Sequence, residues 1–160
     1  TGPLFLGRSI QARFKMKLKI RAGTVSDDKL CGAIMLEALV TEDIPRSFLK
    51  DNVLILPLRS NLRFIAFYDE DPVGFCDYSI SKSHINYLFV YPLFQDNGVG
   101  TCLLENVQRR LETPISVNVL CRNEKAILWY LKKDFTVKKL WSEQFNGQLT
   151  AWLKLTRETL

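Results

Sequence analysis

A chain of 160 residues, 47% of them hydrophobic and 24% charged, has the size and balance of one domain with a sizeable core. Its net charge of +5 is modest, and the basic residues are scattered, with Lys15, Lys17, Lys19 and Arg21 alternating as on a solvated face; this argues against a nucleic-acid or membrane partner. Four cysteines with no C-x-x-C pair and a single histidine, His84, argue against a zinc site, and no apolar run reaches the roughly 20 residues of a membrane span.

Met16 is followed by Lys17-Leu18-Lys19-Ile20-Arg21, as at a native start. Residues 1–15 therefore read as an N-terminal extension or expression remnant, and residues 16–160 as one domain. The apolar stretch 3–7 is too short for a signal-peptide core. Residues 17–22 alternate charged and apolar side chains (Leu18, Ile20, Ala22), the pattern of a half-buried strand. Thr24 with Asp27 three residues on resembles a capping box, and Leu30, Ala33, Ile34 and Ala38 recur at helical spacing to about Val40. A shorter helix is expected from Thr41 to near Asp51 and Asn52, and 53–57 is apolar and ambiguous. Strands follow over 62–68, 73–80 and 85–91, separated by turns at 69–72 and 81–83. They predict an antiparallel meander, and the near-continuous apolar run of the third predicts burial on both faces.

Val99, Leu103, Leu104, Val107 and Leu111 mark one face of a helix over 98–112, which Thr113 and Pro114 stop. Residues 115–121 form a strand rich in β-branched side chains. Asn123 caps a helix with apolar positions Ala126, Ile127, Tyr130 and Leu131. Final strands cover 135–141 and 149–155, joined by a loop around Asn146 and Gly147. The strand over 85–91, the helix after it and the strand over 115–121 form a β-α-β unit, whose strands should be parallel. The fold class is α/β in the α+β sense: a mixed, mainly antiparallel sheet with one parallel β-α-β unit and helices on both faces. Cys31, Cys76, Cys102 and Cys121 each sit in an apolar run and read as buried free thiols in a reducing, cytoplasmic compartment.

The turn Gln95-Asp96-Asn97-Gly98-Val99-Gly100 separates a strand from a helix. Its two glycines either serve a connection that needs positive φ or open the helix N-terminus to an anion. Such a terminus carries unpaired N–H groups and partial positive charge. The side-chain amides of Gln95 and Asn97 are further donors beside it. No lysine follows the glycines and a third glycine is missing, which argues against a P-loop NTPase and a dinucleotide-binding enzyme.

In its wider context the turn resembles part of the GNAT superfamily of acyl-CoA-dependent N-acyltransferases. Val73-Gly74-Phe75 is similar to that family's strand-start signal, and Leu88-Phe89-Val90 before Pro92 to its central strand. Gln95, Gly98 and Gly100 match its acyl-CoA signature of Arg or Gln, two residues, Gly, one residue, then Gly or Ala. Leu103 and Leu104 follow at the expected offset, and Asn123, Ala126, Tyr130 and Phe135 match its later motif. With the segment from Ile20 to Asp28, the resemblance spans most of residues 17–157.

The resemblance implies an acetyl-CoA-dependent N-acetyltransferase. Acetyl-CoA would be its co-substrate, and its acceptor a small-molecule, protein or peptide amine; it would need no metal and would be a monomer or homodimer. It implies that Leu88, Phe89 and Val90 hold the pantetheine arm in a gap between splayed strands. The main chain of Gln95, Asp96, Asn97, Gly98, Val99, Gly100 and Thr101 would hold the pyrophosphate. Asn123 and Ala126 would flank the arm, and Tyr130 would protonate the departing thiolate. Many members carry a carboxylate as base at the position of Asn86 or Asn118. Asp77 is the preferred substitute here, before His84, which reads as a turn residue, and Glu42 or Asp43. Asp134 stands where the family often has glycine, a change that Asp tolerates in the left-handed region. Acceptor contacts are expected from residues 24–60 and 141–148, with Phe48, Arg59, Arg63, Trp141 and Phe145 as candidates. Two rivals remain: a non-catalytic acyl-CoA-binding sensor or scaffold on the same fold, and a nucleic-acid-binding domain, which would show salt-sensitive affinity.

Overall fold

The computed structural model describes residues 17–41, 57–145 and 147–159; the expected N-terminal extension, the short second helix, Glu42, Asp43 and Phe48 lie outside them. The strands are β1 (Leu18–Ala22), β2 (Leu62–Tyr68), β3 (Asp71–Ser79), β4 (His84–Val90), β5 (Ile115–Leu120), β6 (Thr136–Phe145) and β7 (Gln148–Arg157). The helices are α1 (Asp28–Thr41), α2 (Val99–Gln108) and α3 (Glu124–Lys132). The strands make one sheet in the order β1-β2-β3-β4-β5-β7-β6. The meander β1-β2-β3-β4 is antiparallel, β4 and β5 are parallel, and β7 lies antiparallel to both β5 and β6. The α+β class and the β-α-β unit expected from the sequence are both present.

The core follows the helical and strand periods. Val99, Leu103, Leu104 and Val107 of α2 are buried, and Leu111 just beyond it is too. Each such side chain contributes about 1.5–3 kcal/mol when taken fully out of water. They pack on β3 where Gly74 leaves room for Val99 and Leu103. On the opposite face α1 buries Cys31, Ile34, Ala38 and Leu39. The capping box forms: the Thr24 hydroxyl accepts from the Ser26 N–H, and Asp27 accepts from the Thr24 N–H at 2.9 Å. Arg21 grips Asp27 at 3.0 and 3.1 Å, and this guanidinium holds the Asp27 carboxyl below the usual range.

Four expectations change. The strands β6 and β7 are each 10 residues long, because cross-strand pairs such as Trp141 with Trp152 continue the ladder as far as Phe145 with Gln148. Leu131 is 41% exposed, and Trp129 packs against the core instead. In β4 only Ile85 is fully buried, because the strand borders a cavity rather than a packed neighbour. Of the cysteines, Cys31 and Cys76 are buried, whereas Cys102 and Cys121 are partly exposed; all four are free. Asp134 does sit in the left-handed region, at φ 67°.

Candidate active site

The parallel strands β4 and β5 pair only at His84 with Ser116 and Ile85 with Val117. Immediately after, β4 carries a bulge: Asp77 faces Tyr87 while Tyr78 faces Ile85, so Asn86 has no partner on β3. From that point the two strands part. A cavity of about 320 Å³ fills the gap. Beyond Ile85 the edge of β4 that faces β5 has no strand partner, and its backbone polar groups need one. Leu88, Phe89 and Val90 line one wall, and Asn123, Ala126 and Tyr130 line the other.

Gln95, Asp96, Gly98, Gly100 and Thr101 close the end of the cavity. The first helical hydrogen bond of α2 runs from the Cys102 N–H to the Gly98 carbonyl, so the N–H groups of Val99, Gly100 and Thr101 have no helical acceptor. They form a positive end, and the Lys125 ammonium lies beside it on the Gln95 side-chain oxygen. The side-chain amides of Gln95 and Asn97, expected as free donors, are engaged within the turn. Gln95 donates to the Val90 carbonyl at 3.1 Å and Asn97 to the Gln95 carbonyl at 2.9 Å. Neither the Asn97 nor the Val99 side chain lines the cavity, and Val99 is buried in the core.

The two glycines answer different demands. Gly98 is the N-cap at φ 82°, and a Cβ there would meet nothing within 4 Å, so its need is conformational. A Cβ on Gly100 would lie 3.2 Å from the Trp129 ring, so its need is the close approach of α3. Gly98→Ala is therefore expected to destabilise the fold by about 1–2 kcal/mol, a left-handed residue's strain, measured as a shift of the urea midpoint.

Asn123 caps α3 by accepting from the Ala126 N–H at 3.2 Å, which leaves its amide N–H₂ available at the cavity. Tyr130 is 5% exposed, held edge-on by Trp129 and Phe135 with centroids 5.0 and 5.2 Å away. Burial pushes its phenol well above the ordinary value, and the neighbouring Cys76 adds to the shift. Among the described residues nothing hydrogen-bonds its hydroxyl.

Asp77 is not brought to this cavity. It is fully buried on the α1 face, with one oxygen 2.7 Å from Arg63 Nε and the other 2.8 Å from Arg63 Nη2. Burial pushes its carboxyl up and the guanidinium opposes that shift. Both oxygens are occupied and neither reaches the gap, which corrects the expectation of a base at this position. The same pair removes Arg63 from the acceptor candidates. His84 opens β4 rather than a turn, with Nδ1 2.7 Å from the Ser116 hydroxyl.

The family profile described as an acetyltransferase (GNAT) domain matches residues 60–137, the segment that builds β2 to α3 and every cavity-lining residue except Ala38 and Leu39 of α1. The chain has the GNAT fold. A GCN5-related N-acetyltransferase structure from Rhodopseudomonas palustris superposes with a TM-score of 0.75 at 19% identity, covering 90% of this chain and 98% of that one. The ribosomal-protein-S18-alanine N-acetyltransferase of Escherichia coli gives 0.62 at 17% identity, over 90% and 96%. The yncA protein of Salmonella typhimurium, solved with its cofactor acetyl-CoA, gives 0.57 at 14%, over 88% and 93%. At these identities the likeness is one of fold. No curated protein matches the sequence.

Within this GNAT fold the sequence reading missed four cavity residues: Ala38, Leu39, Lys125 and Trp129. The first two come from α1, which crosses the sheet and shares no local motif with the turn. Trp129 was legible in principle, one position before Tyr130 and facing a glycine. Among the described residues no three His, Cys, Asp or Glu side chains converge as metal ligands, and no helix is long and apolar enough to cross a membrane.

Proposed function

We propose that this GNAT-fold protein is an acetyl-CoA-dependent N-acetyltransferase that moves an acetyl group from the thioester to a primary amine by direct attack in a ternary complex. The observation that carries the proposal is the β5-facing edge of β4, without a strand partner beyond Ile85, beside a cavity that ends on free helix N–H groups. An extended, amide-bearing arm satisfies such an edge as an added strand does, and a pyrophosphate suits a helix N-terminus. Bound acetyl-CoA would supply the acetyl group as a thioester. Leu88, Phe89 and Val90 would hold the arm through their main chain, with Asn123 and Ala126 opposite. The N–H groups of α2, with Lys125, would hold the phosphates. Tyr130 keeps its proton and donates it toward the departing sulfur.

Asp77 acts in this reading as a structural anchor. Among the described residues the only carboxylate lining the cavity is the exposed Asp96 at its mouth, and in this reading the amine enters neutral or loses its proton to water. Four free thiols accord with a cytoplasmic setting. Incubation with acetyl-CoA and a panel of primary amines, detecting free thiol, tests the proposal. Turnover on at least one amine supports it. Tight acetyl-CoA binding without turnover would favour a sensor or scaffold, and absence of binding would remove both readings. Gly100→Glu is expected to weaken acetyl-CoA binding at least about tenfold, read by calorimetry, because its side chain must displace the Trp129 ring from the cavity wall and its carboxylate competes for the α2 donors. Unchanged affinity would count against the pyrophosphate cradle.

A further inference from the structure

The α1 face of the sheet continues past the cavity over β5, β7 and β6. Leu39, a cavity residue, packs there against Phe89, Leu120 and Phe145. Beyond them Trp141 and Trp152 stack at 6.4 Å and 16°, and Phe145 meets Trp152 edge-on. The next row across the strands is Asn118, Lys154 and Lys139, since Lys154 is paired with both neighbours. Asn118 follows Val117, the last residue of β5 that pairs with β4, so this row begins where the gap opens.

Two lysines directly opposite each other repel. Lys154 is also partly buried, and among the described residues neither it nor Lys139 has an acidic partner. Lys139 lies over the Trp141 ring at 5.6 Å. The indole N–H of Trp152 is buried without an acceptor. Lysine ammonium groups and an indole N–H are all donors, and Lys154 also acts on His84: burial, then the charges of Lys154 and Lys82, hold that imidazole below its ordinary value. Among the described residues the row of Asn118, Lys154 and Lys139 therefore holds two cations and no carboxylate, since Glu143 stands beyond Trp141 and Glu158 is engaged by Thr156 and Lys138, and the row adjoins the vertex at which an acceptor amine would meet the thioester.

We propose that the acceptor is a primary amine bearing an anionic group, with the anion on Lys154 and Lys139 and the stem across Trp152. This rests on the transferase reading above and specifies its acceptor class. The amine and the anion then lie one to two strand spacings apart, about 5–10 Å.

Three amines of matched stem separate the cases: 6-aminohexanoate, hexylamine and 1,6-diaminohexane. The kcat/KM for 6-aminohexanoate is expected to exceed that for hexylamine by about tenfold, with the diamine poorest. Lys154→Met is expected to collapse that ratio and Lys154→Arg to retain it. A diamine preference, or a ratio unchanged in Lys154→Met, would overturn the assignment. A second measurement needs no turnover and no acetyl-CoA. His84 is the only histidine of the chain, so its ring proton resonance reports one titration. An anion at Lys154 is expected to raise the His84 pKa, because it offsets a charge that now depresses it. A His84 titration unmoved by saturating 6-aminohexanoate would sink the site. A His84 response without transfer to any of the three amines would support the anion site and count against the transferase reading.

Discussion

Replacing Tyr130 by phenylalanine is expected to lower kcat about 100-fold while leaving KM for acetyl-CoA within about twofold, the pattern of an interaction made only as the thiolate departs. The ring itself stays in place, because Trp129 and Phe135 hold it by its edges and faces and not by its hydroxyl. Thermal stability should be essentially unchanged, since the hydroxyl lines the cavity and has no hydrogen-bond partner among the described residues to lose. That separates chemistry from folding: a structural role would move the melting temperature, and a chemical one would not. The raised phenol value has a further consequence. A general acid loses activity as pH rises through its pKa, so the alkaline limb caused by Tyr130 should fall above the ordinary phenol value of about 10. A decline at lower pH that disappears in Tyr130→Phe would contradict the burial effect, and unaltered kinetics would remove Tyr130 from the mechanism.

The β4-turn-α2 unit was readable in the sequence because three local signals coincide there. The apolar run of β4 stops at Pro92, Gly98 and Gly100 clear the helix start, and the core positions from Val99 onward fall at helical spacing. Tyr130 and Asn123 were readable for a similar reason, as a cap and a core position on one short helix. The reading failed where two distant segments decide the outcome. Gln95 and Asn97 looked like free donors, but the strand end and their own turn use them. Asp77 looked available because its partner stands 14 residues away. A signal did exist: Arg63 and Asp77 each lie seven residues from Glu70 at the hairpin turn, so a symmetric β2-β3 pairing places them directly opposite. Opposite charges at matched positions in otherwise apolar strands predict a pair. The lengths of β6 and β7 escaped for another reason. Nearly every residue of β6 is exposed, so no inward-facing alternation marks where it ends.

The largest effect on stability is expected from Arg63→Ala, a loss of about 3–5 kcal/mol, which is a large part of the 5–15 kcal/mol that holds a typical domain. The cause is what remains. Asp77 is 0% exposed and would keep a buried carboxylate with no counter-charge, and Asp28 would lose its 2.8 Å contact at the start of α1. The guanidinium also accepts crowding that no other side chain fills: a Cβ on Gly23 would lie 2.7 Å from the Arg63 stem, and Phe75 lies under the charge at 5.8 Å. With Arg63 gone, burial and the Asp28 charge act on Asp77 unopposed and raise its pKa further above the unfolded value. A carboxyl raised in this way favours the fold below the unfolded pKa and ceases to do so as pH climbs through the folded one. Urea midpoints of Arg63→Ala should therefore lie closer to the parent protein at pH 5 than at pH 8. The double variant Arg63→Met with Asp77→Leu is expected to recover most of the loss, because apolar groups of similar volume replace a buried ion pair at little or no cost. If Asp77 is an anchor, the double variant keeps acetyl transfer once α1 is held. Abolished transfer in a double variant that folds and still binds acetyl-CoA would return Asp77 to the chemistry.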